Sequence, residues 1–189
     1  MTLSLIAIGL RVVILLVASV VLGLSASMAQ YQAVDIVPVE TGFAASVGAF
    51  GLFVSIVGLI ALWYDRIDPR VMMYLDLCTA FLNLLAALGL TFALQTVSSC
   101  TATDPASEYK RVTNDILSGG CVGAGKDLVC SHAHGPDGKD LTPARCMIAR
   151  TDYVFLYVGF IFASAMLSLG YILLRQGRGG TPPPTGAYN

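Results

Sequence analysis

Apolar residues fall in four long runs along this chain, separated by short polar joints and one long polar segment. The runs are Leu5 to Met28, Gly42 to Tyr64, Val71 to Val97 and Tyr153 to Leu174. Each is long enough to cross a bilayer, which takes about 20 residues as a helix. The second run carries no charge, the first carries one arginine, Arg11, and the third carries one acid, Asp76. The joints are a short link from Tyr31, the turn DRIDPR (Asp65 to Arg70) and a loop from Ser98 to Asp152. This pattern predicts an all-α integral membrane four-helix bundle with a disulfide-bearing loop between its third and fourth helices. Residues 1–174 form the four-span domain, with the outer loop over 98–152. Residues 175–189, rich in Gly and Pro, form a disordered tail.

Composition points the same way. Of 189 residues, 56% are hydrophobic and 12% charged, where a soluble domain averages about 25% charged. Mean hydropathy is +0.73. A net charge of −1 and the lack of a Lys/Arg-rich run set nucleic-acid binding aside. The first run ends in SMA before Gln30, which resembles a cleavage site. A signal peptide places its positive charge ahead of a short apolar core, whereas here apolar sequence extends on both sides of Arg11, so a permanent span is expected.

Short-loop basic residues mark the cytosolic side. Arg66 and Arg70 in the second joint, with Arg175 and Arg178 in the tail, place both termini in the cytosol and the long loop outside. Four of the five cysteines, Cys100, Cys121, Cys130 and Cys146, lie in that loop. An even set in one hydrophilic segment reads as two disulfides in an oxidising compartment. Of the three connectivities, the nested one, Cys100–Cys146 with Cys121–Cys130, closes the loop at its base. A zinc site is the alternative, and no C-x-x-C spacing supports it. Cys78, within the third span, reads as a small apolar packing residue.

The intramembrane charges invite pairing. Arg11 lies about 10 Å along its helix from Ser4, and Asp76 about 8 Å along its own from Val71, so their depths match. A lone charge at mid-span costs about 2.5–3.5 kcal/mol, and a partner removes most of that cost. An Arg11–Asp76 ion pair is therefore expected, the alternative being that Arg11 snorkels to the headgroups. Asp76, Thr79, Asn83, Ala87 and Thr91 share one side of the third helix. They read as interhelical hydrogen-bonding groups or, in a transporter, as an ion path. Small residues repeat at helical steps in the second span (Ala44, Gly48, Gly51, Ser55, Gly58) and again in the fourth (Gly159, Ala163, with Gly170 near that face). Such stripes let helix backbones approach closely, within the chain or between copies. Trp63, Tyr64 and Tyr153 sit where aromatic belts occur.

Candidate chemistry is sparse. HExxH, GxSxG, P-loop and GxGxxG patterns are all missing, so neither an enzyme nor a cofactor site is expected. GGCVGAG reads as a turn beside Cys121. His132 and His134 with Asp137 and Asp140 offer a weak metal set, but PDG marks a solvated turn there. The reactive C-x-x-C of four-span thiol oxidoreductases is not found either.

Certain short motifs resemble a known group. GLR (Gly9 to Arg11) and VLGLS (Val21 to Ser25) lie in the first span, YLDL (Tyr74 to Leu77) with Asn83 in the third. SC (Ser99, Cys100), then RC and DYVFLY (Arg145, Cys146, Asp152 to Tyr157), flank the loop. With four spans and a cysteine-bearing outer loop, the chain resembles MARVEL-domain proteins, in particular the fungal non-classical export family associated with eisosomes. The loop departs from that pattern in its length and in the extra pair Cys121 and Cys130. The resemblance implies a non-enzymatic organiser of plasma-membrane lipid microdomains, working with sterol- or sphingolipid-rich membrane and other membrane proteins and linked to unconventional export. The rival reading is a small transporter or channel using Arg11, Asp76 and Asn83.

Overall fold

The computed structural model describes residues 2–30, 32, 37–61, 68–121, 123, 129–130, 133–135 and 137–178. Among them lie six helices: α1 (Thr2–Gln30), α2 (Val39–Ala61), α3 (Pro69–Ala93), α4 (Pro105–Val112), α5 (Asp115–Ser118) and α6 (Thr142–Arg178). The β-type pairing among these residues is one antiparallel bridge, His134 to Asp140. Helices α1, α2, α3 and α6 are long and apolar enough to cross a membrane and mark the chain as a multi-pass membrane protein. Each turns large apolar side chains outwards, among them Leu16, Phe53, Phe81 and Ile161. So much exposed apolar surface on all sides suits lipid rather than water.

Local chemistry sets the helix starts. Asp68 accepts a hydrogen bond from the Arg70 backbone N–H at 2.9 Å, and Pro69 opens α3, where its missing N–H costs nothing. Asp104 and Pro105 repeat the device at α4, with Ser107 N–H donating to the Asp104 carboxylate at 2.9 Å. Asn114 caps α5, and its amide also donates to Ala93 O at 2.9 Å, satisfying a carbonyl at the end of α3. Gly119, with φ of 77°, ends α5 in the left-handed conformation that favours glycine.

The long helices form an up-and-down bundle. Going along α2, Gly48 faces Leu22, Gly51 faces Ala18 and Gly58 faces Arg11, so α1 and α2 run antiparallel. Likewise Val17 and Ser25 of α1 approach Gly159 and Asp152 of α6. Helix α3 packs against α2 and α6, which leaves α1 and α3 on a diagonal. Val21, Val47, Leu90 and Leu156 lie in the core between them. Ile116 and Leu117 extend that core beyond the bundle end, which seats α5 on top of it.

The small-residue stripe of α2 faces α1. A Cβ on Gly48 would stand 2.8 Å from the Leu22 backbone nitrogen, and one on Gly51 3.2 Å from the Ala18 Cβ. Ala44, Ser55 and Ala163 are fully buried. Gly170 departs from expectation: a Cβ there meets nothing within 4 Å, so it belongs to no packing face.

Three further expectations need correcting. The fourth long helix starts at Thr142, eleven residues before Tyr153, so the loop is shorter than 98–152 and is itself partly helical. Its polar first turns hid it from a hydropathy reading, yet they are well anchored. Asp140 accepts from Thr142 N and Oγ1 at 2.9 and 2.8 Å, and Arg150 donates to Val97 O and Ser98 O at 2.9 and 3.0 Å. Tyr153 consequently packs against the core and meets Tyr157 edge-on, with ring centroids 6.4 Å apart. Cys78 is exposed on the outer surface of α3 and does not pack in the core. The belt residues Trp63 and Tyr64, His132, and the chain beyond 178 lie outside the described residues.

Disulfides join Cys100 to Cys146 and Cys121 to Cys130. Alkylation before reduction is expected to label Cys78 alone, and the oxidised protein to migrate faster on gels than the reduced one. Gly48→Ala is expected to destabilise the bundle by about 1–3 kcal/mol in detergent, as overpacking does. Gly23→Ala, where a Cβ meets nothing within 4 Å, serves as its harmless control. Equal unfolding midpoints for the two variants would contradict the close α1–α2 approach. At α4, the hydrogen bonds from Ser107 hold the Asp104 carboxyl below its usual 3.8. A depressed folded value stabilises the cap above the unfolded value, and that contribution disappears as pH falls through the folded one. The Ser107 amide resonance is therefore expected to titrate with a midpoint below 3.8.

Candidate functional site

Arg11 and Asp76 meet across the bundle diagonal. Arg11 Nη1 donates to Asp76 Oδ1 at 2.6 Å and Nη2 donates to Oδ2 at 2.7 Å, a bidentate ion pair. Both residues are 4% exposed, so neither charge is relieved by solvent at this depth. Planar guanidinium and carboxylate match in this fork, which makes it a strong and directional charge-assisted contact. Arg11 therefore does not snorkel.

Gly58 makes room for it. A Cβ on Gly58 would lie 2.5 Å from Arg11 Nε and 2.6 Å from Cζ, so the guanidinium rests against bare α2 backbone. The small-residue stripe thus has two roles: Gly48 and Gly51 admit α1 itself, while Gly58 admits a side chain reaching past α2 towards α3. Spacing alone could not separate these roles.

The other polar residues of α3 behave differently from expectation. Thr79 Oγ1 donates to Leu75 O at 2.8 Å, Asn83 Nδ2 to Thr79 O at 2.8 Å and Thr91 Oγ1 to Ala87 O at 2.7 Å. All three bond within their own helix, as mid-helix hydroxyls often do. Thr91 alone of these also reaches another helix, with its hydroxyl 3.3 Å from that of Tyr157. Asn83 packs over Gly159, where a Cβ would lie 2.7 Å from Asn83 Oδ1.

A second polar layer was not anticipated from the sequence. Ser25 Oγ donates to Asp152 Oδ2 at 2.5 Å, with both side chains fully buried. Asp152 Oδ1 has no hydrogen-bond partner among the described residues. Ser25 lies fourteen positions after Arg11, about 21 Å further along α1. The two layers therefore sit towards opposite ends of the bundle. Both residues belong to motifs visible in the sequence, VLGLS and DYVFLY, but hydropathy alone places Asp152 in the loop because it does not reveal the first turns of α6.

Below the Arg11–Asp76 pair a cavity of about 670 Å³ opens towards the end of the bundle that holds the start of α1 and the end of α6. Its walls are largely apolar, with Met72, Met166 and Leu169 among them, and Asp68 and Arg70 also line it. Above the pair, Thr79, Asn83 and Gly159 border a void of only about 10 Å³. In the loop, Arg111 approaches Asp140 at 3.8 Å. No three metal-donor side chains converge among the described residues, which include His134, Asp137 and Asp140 but not His132.

Comparison with protein-family models, curated proteins and solved structures finds no match. The likeness to MARVEL-domain proteins rests on the short motifs of the sequence.

Arg11→Met and Asp76→Val are each expected to lower folded stability by about 3–5 kcal/mol, because each leaves a buried charge unpaired. The double substitution is expected to recover most of that loss, since an apolar pair can replace a buried ion pair at little cost. Thermal unfolding in detergent checks this. Additive losses in the double variant would show that the two side chains act independently.

Proposed function

We propose that this membrane protein is a non-enzymatic organiser of plasma-membrane lipid microdomains, working through its packing with lipids and other membrane proteins. The motifs shared with MARVEL-domain and fungal non-classical export proteins support that setting, with eisosome assembly or unconventional export as its biological context. The orientation proposed has both termini in the cytosol, because the basic residues Arg70 and Arg175 gather at that end.

One observation favours a structural role over transport. The intramembrane charges satisfy each other, and the void above them is about 10 Å³, at the lower limit for a single water. A conduction path needs more room than that between its polar layers.

The transporter reading, through Arg11, Asp76 and Asn83, draws on a different observation. The cavity reaches the ion pair from one end, while Asp152 presents an unpartnered carboxylate oxygen near the other. Proton flux in proteoliposomes separates the two readings. The organising role predicts no flux above protein-free vesicles, and none that Asp76→Asn abolishes. A tagged copy in fungal cells is expected in static plasma-membrane patches beside an eisosome marker. A uniform distribution over internal membranes would count against the organiser.

A further inference from the structure

The cavity below the ion pair does not stand alone. A second cavity, of about 290 Å³, adjoins it between the ends of α3 and α6, and the two share Arg70, Met73 and Leu174 in their walls. Their linings differ in chemistry. The smaller one is bordered by two guanidinium groups, Arg70 and Arg175, and by Tyr74 and Tyr171. Arg175 lies over the Tyr171 ring, 5.3 Å from its centroid, which holds its charge at this rim. Neither Arg70 nor Arg175 makes an ion pair among the described residues, in contrast to Arg11 and Arg111. The larger cavity is walled chiefly by methionine, leucine and alanine.

A rim with two arginines and two tyrosines, beside a mainly apolar chamber whose mouth also carries Asp68, matches one kind of molecule: an amphiphile with an anionic head and a hydrocarbon tail. The rim stands where α3 begins and α6 ends, at the headgroup level of a helix that crosses the bilayer. A chamber of about 670 Å³ falls within the range of small-molecule sites, roughly 300–1,000 Å³. We propose that these two cavities form one binding site for an anionic phospholipid of the adjoining leaflet. Its phosphate sits between Arg70 and Arg175, where guanidinium groups bind phosphate well. One acyl chain enters the chamber beneath the Arg11–Asp76 pair. That pair is internally neutral and closes the chamber without repelling the lipid. The proposal rests on membrane embedding and not on the organising role, so its test is a binding measurement independent of localisation.

The test uses full-length protein in detergent and native mass spectrometry. Phosphatidylglycerol and phosphatidylcholine with identical acyl chains are supplied at equal concentration. Phosphatidylglycerol is expected to be retained preferentially, up to about thirtyfold, given two basic residues at about 1 kcal/mol each. Both arginines are exposed, so Arg70→Gln with Arg175→Gln should leave the fold intact and abolish the preference. Gly170→Leu probes the chamber separately. Gly170 lines it, and a Cβ there meets nothing within 4 Å, so leucine enters open space. This variant is expected to fold, with an unchanged unfolding midpoint in the absence of lipid, and to retain less phosphatidylglycerol. Equal retention of the two lipids, or a preference that survives loss of both arginines, would overturn the proposal. Retention unaffected by Gly170→Leu would remove the acyl-chain half. Binding of inorganic phosphate without any lipid preference would assign the arginines to a soluble anion and also overturn it.

Discussion

A guanidinium and a carboxylate on diagonal corners of the bundle hold its centre. Helices α1 and α3 do not pack directly against each other, and each is sequestered between α2 and α6. The contact that joins them through the axis is Arg11 to Asp76. In hydrocarbon neither charge is tolerable alone, so the register of α1 against α3 is tied to the pairing of these two groups. Slipping either helix by one turn, about 5.4 Å, would separate them. The ion pair works chiefly as a specificity device, since an apolar replacement can match its energy but not its single permitted register.

Other features follow from that constraint. Arg11 needs a gap through which to reach α3, and Gly58 supplies it. The bare backbone of α2 then brings α1 close enough for Gly48 and Gly51 to meet Leu22 and Ala18. At the other end of α1, Ser25 bonds Asp152 and fixes α6 in turn. Beyond it, Arg150 and Asn114 satisfy carbonyl groups at and just past the end of α3. Helices α1, α3 and α6 are thereby each located by at least one directional polar contact, and α2 by the close approach of its glycines to α1. Two neighbouring cavities lie where this polar ordering stops beneath the ion pair, and there Arg70 and Arg175 line the smaller one.

Much of this architecture could be read from residue order. Long apolar runs define transmembrane helices because a helix satisfies its whole backbone within one segment, whereas a barrel needs many short strands. The pairing of Arg11 with Asp76 was legible because two isolated charges at equal depth leave few alternatives. Nested cysteines were legible because they flank the loop. What stayed hidden was of another kind. The first turns of α6 carry Arg145, Arg150 and Asp152, and a polar helix start resembles loop when only hydropathy is counted. Ser25 could not be told from the other serines of α1, Ser19 and Ser27 among them, until the opposite helix is extended to bring Asp152 beside it. The hydroxyls of α3 looked like bridges between helices, yet a threonine always has its own carbonyl four residues back within reach. Cys78 is apolar enough for either environment, and only the rotation of α3 decides which one it meets.

The bond between Cys100 and Cys146 has a further consequence for the segment it encloses. Residues 101 to 145 form a covalent ring that starts and finishes on the same pair of sulfur atoms. A protease cutting once within that ring, outside the smaller circle closed by Cys121 and Cys130, opens it without releasing either half of the molecule. Insertions there lengthen the ring but leave the start of α6 fastened to the chain just past the end of α3. The segment between α3 and α6 is thus free to diverge while its scaffold remains a single tethered unit.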